Sequence, residues 1–207
     1  MPIIYKNKLN AFTKIGVWHI TEAEDFFLQK VSLQRSITHP HKRLQHLAGR
    51  LLLLELYPDF PISLIQIAET RKPFLENDIF HFSISHCGNY AAAIVSTKNR
   101  VGVDIEIPQL KVERIQHKFL TVKDYIILSD IKKSCLLQLT FGWSIKEAMF
   151  KWQGIGEVDF KKHMKIVAIR LIEDGFIANC VFCKTTKINL EVFCKTINGN
   201  ILCWVVT

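Results

Sequence analysis

The 207-residue chain carries 27 lysines and arginines against 19 aspartates and glutamates, a formal charge of 27 − 19 = +8, with 49% hydrophobic and 22% charged residues. That balance excludes a disordered, collagen-like or low-complexity chain and leaves enough apolar material for a packed core, in one large domain or two of about 100 residues. Apolar runs such as residues 51–54 fall far short of the ~20 residues of a membrane span, and the first residues lack a charged stretch followed by an apolar one, so a cytoplasmic protein with no membrane association is expected. Six cysteines need no disulfide framework in a chain of this size. The positive excess points to an acidic partner: nucleic acid, anionic lipid, a phosphorylated small molecule or an acidic protein.

In chain order, Thr21-Glu22-Ala23-Glu24 has the capping-box pattern and predicts a helix to about residue 31. Pro40 suits an early helical position, and 41–56 reads as a second helix stopping before Pro58. Its apolar side holds Leu44, Leu47, Ala48 and Leu51; Arg43, His46 and Arg50 stack in a stripe suited to an anion. From 79 the period changes to two, with Phe80, Phe82 and Ile84 alternating with His81, Ser83 and Ser85. Turns at 87–89 and 97–100 then separate strands at 90–96 and 101–107, which predicts a three-stranded meander over 79–107. A helix near 112–120, a cap at Thr121–Asp124, and a helix over 135–153 ended by Gly154 follow. Four strands near 164–172, 176–184, 188–196 and 201–206 close the chain, with Glu173-Asp174-Gly175 and Asn198-Gly199 as hairpin turns. Runs of strands joined by turns make the fold α+β with antiparallel pairing.

The chemistry concentrates in a few places. In Val101-Gly-Val-Asp104-Ile-Glu106-Ile107 the odd positions are apolar, so Asp104 and Glu106 share the opposite strand face. Two carboxylates at that spacing repel unless a cation such as Mg²⁺ joins them; the other reading is a solvated acidic face. On the 135–153 helix, Trp143, Glu147 and Lys151 line one side, with Lys146 alongside. Taken alone they are a surface ion pair; taken with Asp104 and Glu106 they suit a diphosphate–Mg²⁺ site. His86 stands at a strand corner, and a meander would put its strand in one sheet with Asp104, facing an anion near the metal. Cys180-x-x-Cys183 lacks a second pair of its kind and sits in a strand, so buried thiols are expected there in place of zinc. Gly154-Ile-Gly156 is read as a helix stop.

The ordered set Lys42-Arg43-x-x-His46-Leu-Ala-Gly-Arg50, Arg71-Lys72-Pro73, Phe82-Ser-Ile-Ser85-His86, Gly102-Val-Asp104-Ile-Glu106 and Trp143-Ser-Ile-Lys146-Glu147-Ala-x-x-Lys151-x-x-Gly-x-Gly156 resembles the 4'-phosphopantetheinyl transferases of the surfactin-synthetase-activating type. The resemblance covers about residues 42–156. It implies a pseudo-twofold pair of α+β subdomains, 1–100 on the coenzyme A nucleotide side and 101–207 carrying the metal and catalytic residues, with coenzyme A in the cleft between. The implied reaction moves phosphopantetheine from coenzyme A onto a serine of an acidic apo acyl or peptidyl carrier protein, releasing adenosine 3',5'-bisphosphate. By resemblance Asp104, Glu106 and Glu147 bind Mg²⁺, Glu147 is the base, and Lys146 and Lys151 offset diphosphate charge. Arg43, Lys72, Ser85 and His86, with Arg50, would hold the 3'-phosphate and adenine. A monomer that binds no nucleic acid is expected. The chain departs from the pattern at Cys87, where serine is common, and at Arg71, where glycine is common. The rival is a Mg²⁺-dependent nuclease, which leaves the Ser85-His86 turn and the Arg43 stripe unexplained and lacks an aromatic platform for bases. A non-catalytic basic module would leave Asp104, Glu106 and Glu147 without a role.

Overall fold

The computed structural model describes residues 3–34, 36–70, 72–76, 79–154 and 156–207, and the chain divides into two compact units, Met1–Val101 and Gly102–Thr207. In the first, β1 (Ile3–Lys8), β2 (Thr13–His19), β5 (His81–Cys87) and β6 (Tyr90–Ser96) form a sheet of order β1-β2-β6-β5, antiparallel throughout. Between them lie α1 (Glu24–Leu28), α2 (Pro40–Leu56) and the short strands β3 (Gln66–Ile67) and β4 (Pro73–Phe74). Pro40 occupies the first turn of α2, where its missing N–H costs nothing. The helix lies on the sheet because its leucines 47, 51, 52 and 53 meet Trp18, Phe82, Ala91 and Ala93 in one apolar cluster. Gly49 allows the close approach, since a Cβ there would stand 2.7 Å from Ile84 Cγ2.

Two expectations fail in this unit, for physical reasons. The box at 21–24 does not cap α1: Glu22 Oε2 instead accepts from Trp18 Nε1 (3.2 Å) and from Thr21 N (3.2 Å), and the helix starts two residues later. The meander also breaks after its second strand. Both edges of β6 are occupied, one by β5 and the other by β2, so no edge remains for a third strand at 101–107. His86 and Asp104 therefore belong to different sheets.

That third strand, β7 (Val101–Glu106), instead takes an edge of the second unit's sheet, of order β7-β11-β10-β9-β8. Here β8 is Met164–Ile172, β9 Gly175–Cys183, β10 Lys187–Ile197 and β11 Asn200–Val206, with α3 (Lys111–Phe119), α4 (Val122–Leu128), α5 (Cys135–Gln153) and α6 (Phe160–His163) preceding them. The Thr121–Asp124 capping box does form on α4, and Gly154 ends α5 in the left-handed region at φ 70°. The β10–β11 turn uses Asn198 and Gly199 with φ of 47° and 77°, as a tight hairpin of right-handed twist requires. Residues i and i+3 of a strand point to opposite faces, so Cys180 is buried and Cys183 exposed, and the pair cannot chelate. No helix among the described residues is long and apolar enough to cross a membrane.

Candidate active site

Strand β7 is buried on both faces as far as Ile105, which goes against the other reading of its alternation, a solvated acidic face. Val101, Val103 and Ile105 fill one side, and on the other Gly102 lies directly beneath α5. A Cβ at Gly102 would fall against the Ala148 carbonyl oxygen and 2.5 Å from the Trp152 nitrogen, so only glycine lets the helix backbone rest on the strand here. One pleat further on the same face, Asp104 is 1% exposed and accepts from Lys151 Nζ at 2.6 Å. One more pleat on, Glu106 Oε1 accepts from Trp143 Nε1 at 3.1 Å. Trp143, Glu147 and Lys151 thus run antiparallel to the polar positions of β7, with Glu147 between the two cross-links.

Electrostatics bind this group together. Burial pushes the Glu147 carboxyl up to about 7; Asp104 and Glu106 add to the rise and Lys151 opposes it. Burial works against the Lys151 ammonium, but Asp104, Glu147 and Glu106 outweigh it and hold its pKa above the ordinary lysine value. Three carboxylates supply only oxygen donors, the set that a hard divalent cation prefers. The like-charge contribution at Glu147 is the cost such an ion would remove. Among the described residues, no three His, Cys, Asp or Glu side chains are gathered as around a bound ion. The positive charge at Asp104 comes from Lys151.

The structure does not bring Lys146 to this group. Its side chain is fully buried, and its three protons go to Asp124 Oδ2 (2.9 Å), the Phe119 carbonyl (2.7 Å) and the Phe160 carbonyl (3.1 Å). A step of one residue on a helix is a turn of about 100°, enough to separate Lys146 from the face of Glu147. Asp124 is the residue that sequence reasoning passed over. Only its capping position was visible, although a lysine inside a helix otherwise lined by Ile145, Ala148 and Met149 demands a buried counter-ion. Burial raises Asp124, but Lys146 and the N–H groups of Thr121 and Ile166 hold it below the usual carboxylate range; burial pulls Lys146 below the lysine range against the pull of Asp124.

The residues expected on the nucleotide side all belong to the first unit. Arg43 donates through Nε to Glu24 Oε1 at 2.9 Å and through its Nη2 to the same oxygen. Arg50 is buried, with Nε on Gln34 Oε1 (3.1 Å) and Nη1 on His46 Nδ1 (3.0 Å), so the Arg43–His46–Arg50 stripe is not an open helix face. Ser85 is buried in β5 and His86 is exposed beside it. His41 Nε2 and Gln45 Nε2, flanking Arg43 on α2, both reach the Gly88 carbonyl (2.9 and 2.8 Å), which brings the first turns of α2 to the hairpin that carries His86. Lys72 is half-buried; burial and then the Arg100 charge lower its pKa to about 8. Arg71, the departure noted before Lys72, lies outside the described residues.

Residues 100–205 match the model of the 4'-phosphopantetheinyl transferase superfamily. The chain is 32% identical over 113 residues to enterobactin synthase component D of Escherichia coli K12, covering 53% of this chain and 54% of that protein. It is 34% identical over 118 residues to the Salmonella typhi protein of the same name, covering 53% and 47%. A Haemophilus influenzae protein provisionally named a 4'-phosphopantetheinyl transferase is 29% identical over 125 residues, covering 58% and 53%. The chain therefore spans about half the length of the relatives it matches.

Proposed function

The chain belongs to the 4'-phosphopantetheinyl transferase superfamily, and on that premise we propose that it moves the phosphopantetheine arm of coenzyme A onto a serine of an apo carrier protein. The observation that carries this reading is the Asp104–Lys151 ion pair with Glu147 beside it, inside the stretch that matches the family. In the reaction the serine oxygen bonds to the phosphorus that bears the pantetheine arm, the bond from that phosphorus to the bisphosphate oxygen breaks, and adenosine 3',5'-bisphosphate leaves. Glu147 accepts the serine proton, directly or through water. Asp104, Glu106 and Glu147 would hold Mg²⁺, which supplies charge neutralisation at the diphosphate. Lys151 offsets charge on the leaving group, and Trp143 fixes Glu106 through its indole N–H. Lys146 is assigned no contact with the diphosphate, because its protons are committed elsewhere.

On the nucleotide side the reading gives Arg43, Lys72, Ser85 and His86 to the 3'-phosphate and adenine. Arg50, held inside the unit, supports α2. The surfactin-synthetase-activating type, with two similar halves in one chain, is supported by the make-up of each unit: a long helix laid on an antiparallel sheet through one glycine. The net charge of +8 favours an acidic carrier, met by a monomer in the cytoplasm. The test is direct. The protein is incubated with coenzyme A, Mg²⁺ and a panel of apo carriers from fatty-acid, polyketide, peptide and lysine synthesis, and each carrier is weighed by mass spectrometry. A phosphopantetheine mass gain on at least one is expected; no gain on any of them sinks the assignment.

A further inference from the structure

We infer that Asp124 is a positioning residue for this reaction: its buried pairing with Lys146 sets the rotation at which α5 presents Glu147 and Lys151 to β7. The inference rests on the transfer reading above for its activity readout, and on geometry alone for the rest. Besides the Trp143–Glu106 and Lys151–Asp104 cross-links, two further contacts hold α5 over the acidic strand. Gly102 sets how near the helix lies, because the Ala148 carbonyl and the Trp152 nitrogen would meet any Cβ there. Nearness leaves rotation about the helix axis to side-chain contacts, and to the cross-links on β7 Lys146 adds a fully buried one.

The Lys146 ammonium is seated by three acceptors from three different segments: Asp124 of α4, the Phe119 carbonyl at the end of α3 and the Phe160 carbonyl of α6. Asp124 is itself pinned. Its Oδ2 takes the Thr121 N–H and hydroxyl (2.8 Å each) with Lys146 Nζ, and its Oδ1 takes the Ile166 N–H of β8 at 3.0 Å. A lysine with full occupancy of its protons has one seat, whereas an apolar residue at 146 would tolerate a rolled helix. Glu147 is the next residue along, so a roll that unseats Lys146 carries Glu147 and Lys151 sideways across Asp104 and Glu106. Partners behind a catalytic group that fix its orientation act in this way.

The test is a cycle of wild type, Asp124→Asn, Lys146→Met and the double variant, each checked for folding by circular dichroism. It reads kcat and KM for coenzyme A on an apo carrier, and Mn²⁺ affinity without substrate by electron paramagnetic resonance. Asp124→Asn is expected to lower kcat by about 10- to 100-fold and to weaken Mn²⁺ by a similar factor, with KM for coenzyme A within about twofold. The double variant should fall no further than Lys146→Met alone, since both act through one contact. Asp124→Asn with wild-type kcat and Mn²⁺ affinity, or losses that multiply, would overturn the inference. Should these variants not fold, Thr121→Ala removes one donor to Asp124 and keeps the ion pair. A kcat lowered several-fold at constant KM is then expected, and an unchanged kcat overturns it. If wild type modifies no carrier, the proposed function falls by itself. A crystal structure of Asp124→Asn then decides the inference: Glu147 and Lys151 displaced over β7 support it, and unmoved positions refute it.

Discussion

The long helix of each unit is brought against its sheet by a glycine, yet the two helices hold their charged residues differently. On α5 both buried-side lysines meet carboxylates of their own unit, Lys146 with Asp124 and Lys151 with Asp104. On α2 the two arginines are held differently from each other: the buried Arg50 donates to Gln34 and His46, and Arg43 forms a part-exposed ion pair with Glu24 of α1. Elsewhere in the same unit Lys72 feels another cation, Arg100. The second unit thus arrives with its counter-charges installed, as a site that must place reacting atoms requires. In the first unit the like charges of Lys72 and Arg100 are an interaction that the proposed 3'-phosphate would offset.

The sharpest break of that contrast is Glu147→Gln, which removes the base and keeps the shape. Carrier modification should slow by about 10²- to 10⁴-fold with the thermal midpoint unchanged or higher, read by initial rates and by calorimetry. Retained activity would remove Glu147 from its role. Next comes the pair of glycines. Gly102→Ala forces a Cβ into helix backbone and should cost about 1–3 kcal/mol together with transfer activity. Gly49→Ala meets only the Ile84 side chain and gains about 1 kcal/mol of helix preference, so its urea midpoint should move much less. Equal effects would refute the difference.

A subtler probe is the pH dependence of coenzyme A binding. Lys72 has its pKa lowered to about 8, and a bound phosphate favours the ammonium. The free protein therefore loses the proton that binding needs as pH rises through 8, and KM for coenzyme A should climb above that pH by up to about tenfold per unit. Lys72→Met should raise KM at pH 7 and flatten the profile; a wild-type profile flat from pH 7 to 9 would deny Lys72 its phosphate. The smallest effect is expected at the exposed Arg170–Glu191 pair, where Arg170→Ala should change stability by less than about 0.5 kcal/mol in the same urea titration.

Much of this was legible in the residues, and the failures share a cause. Helices α2 and α5, the four strands from β8 to β11 and the Gly154 stop follow from local periodicity and turn chemistry. The alternation at β7 also marked Asp104 and Glu106 correctly as neighbours on one face. What periodicity cannot say is which edge a strand joins. β1 and β2 gave no clear signal, yet β2 claims the free side of β6 and so expels β7 from the expected meander. The same limit hid Lys146. Spacing put it next to Glu147 and Lys151 on a polar arc of the helix, but burial was decided by α3, α4 and α6 closing over it.

The edge position of β7 has a consequence for how the protein folds. The strand with Asp104 begins at Val101, and its sheet partner β11 begins only at Asn200. Pairing across about 100 residues carries a loop-closure cost that hairpins such as β10–β11 avoid, so such contacts form late. The acidic strand is then the last member of its sheet to be fixed, and the carboxylates are assembled only when the rest of the unit already stands. Pulse-labelling hydrogen exchange should show amides of β9 and β10 protected before those of β7; simultaneous protection would mean the strand is captured earlier.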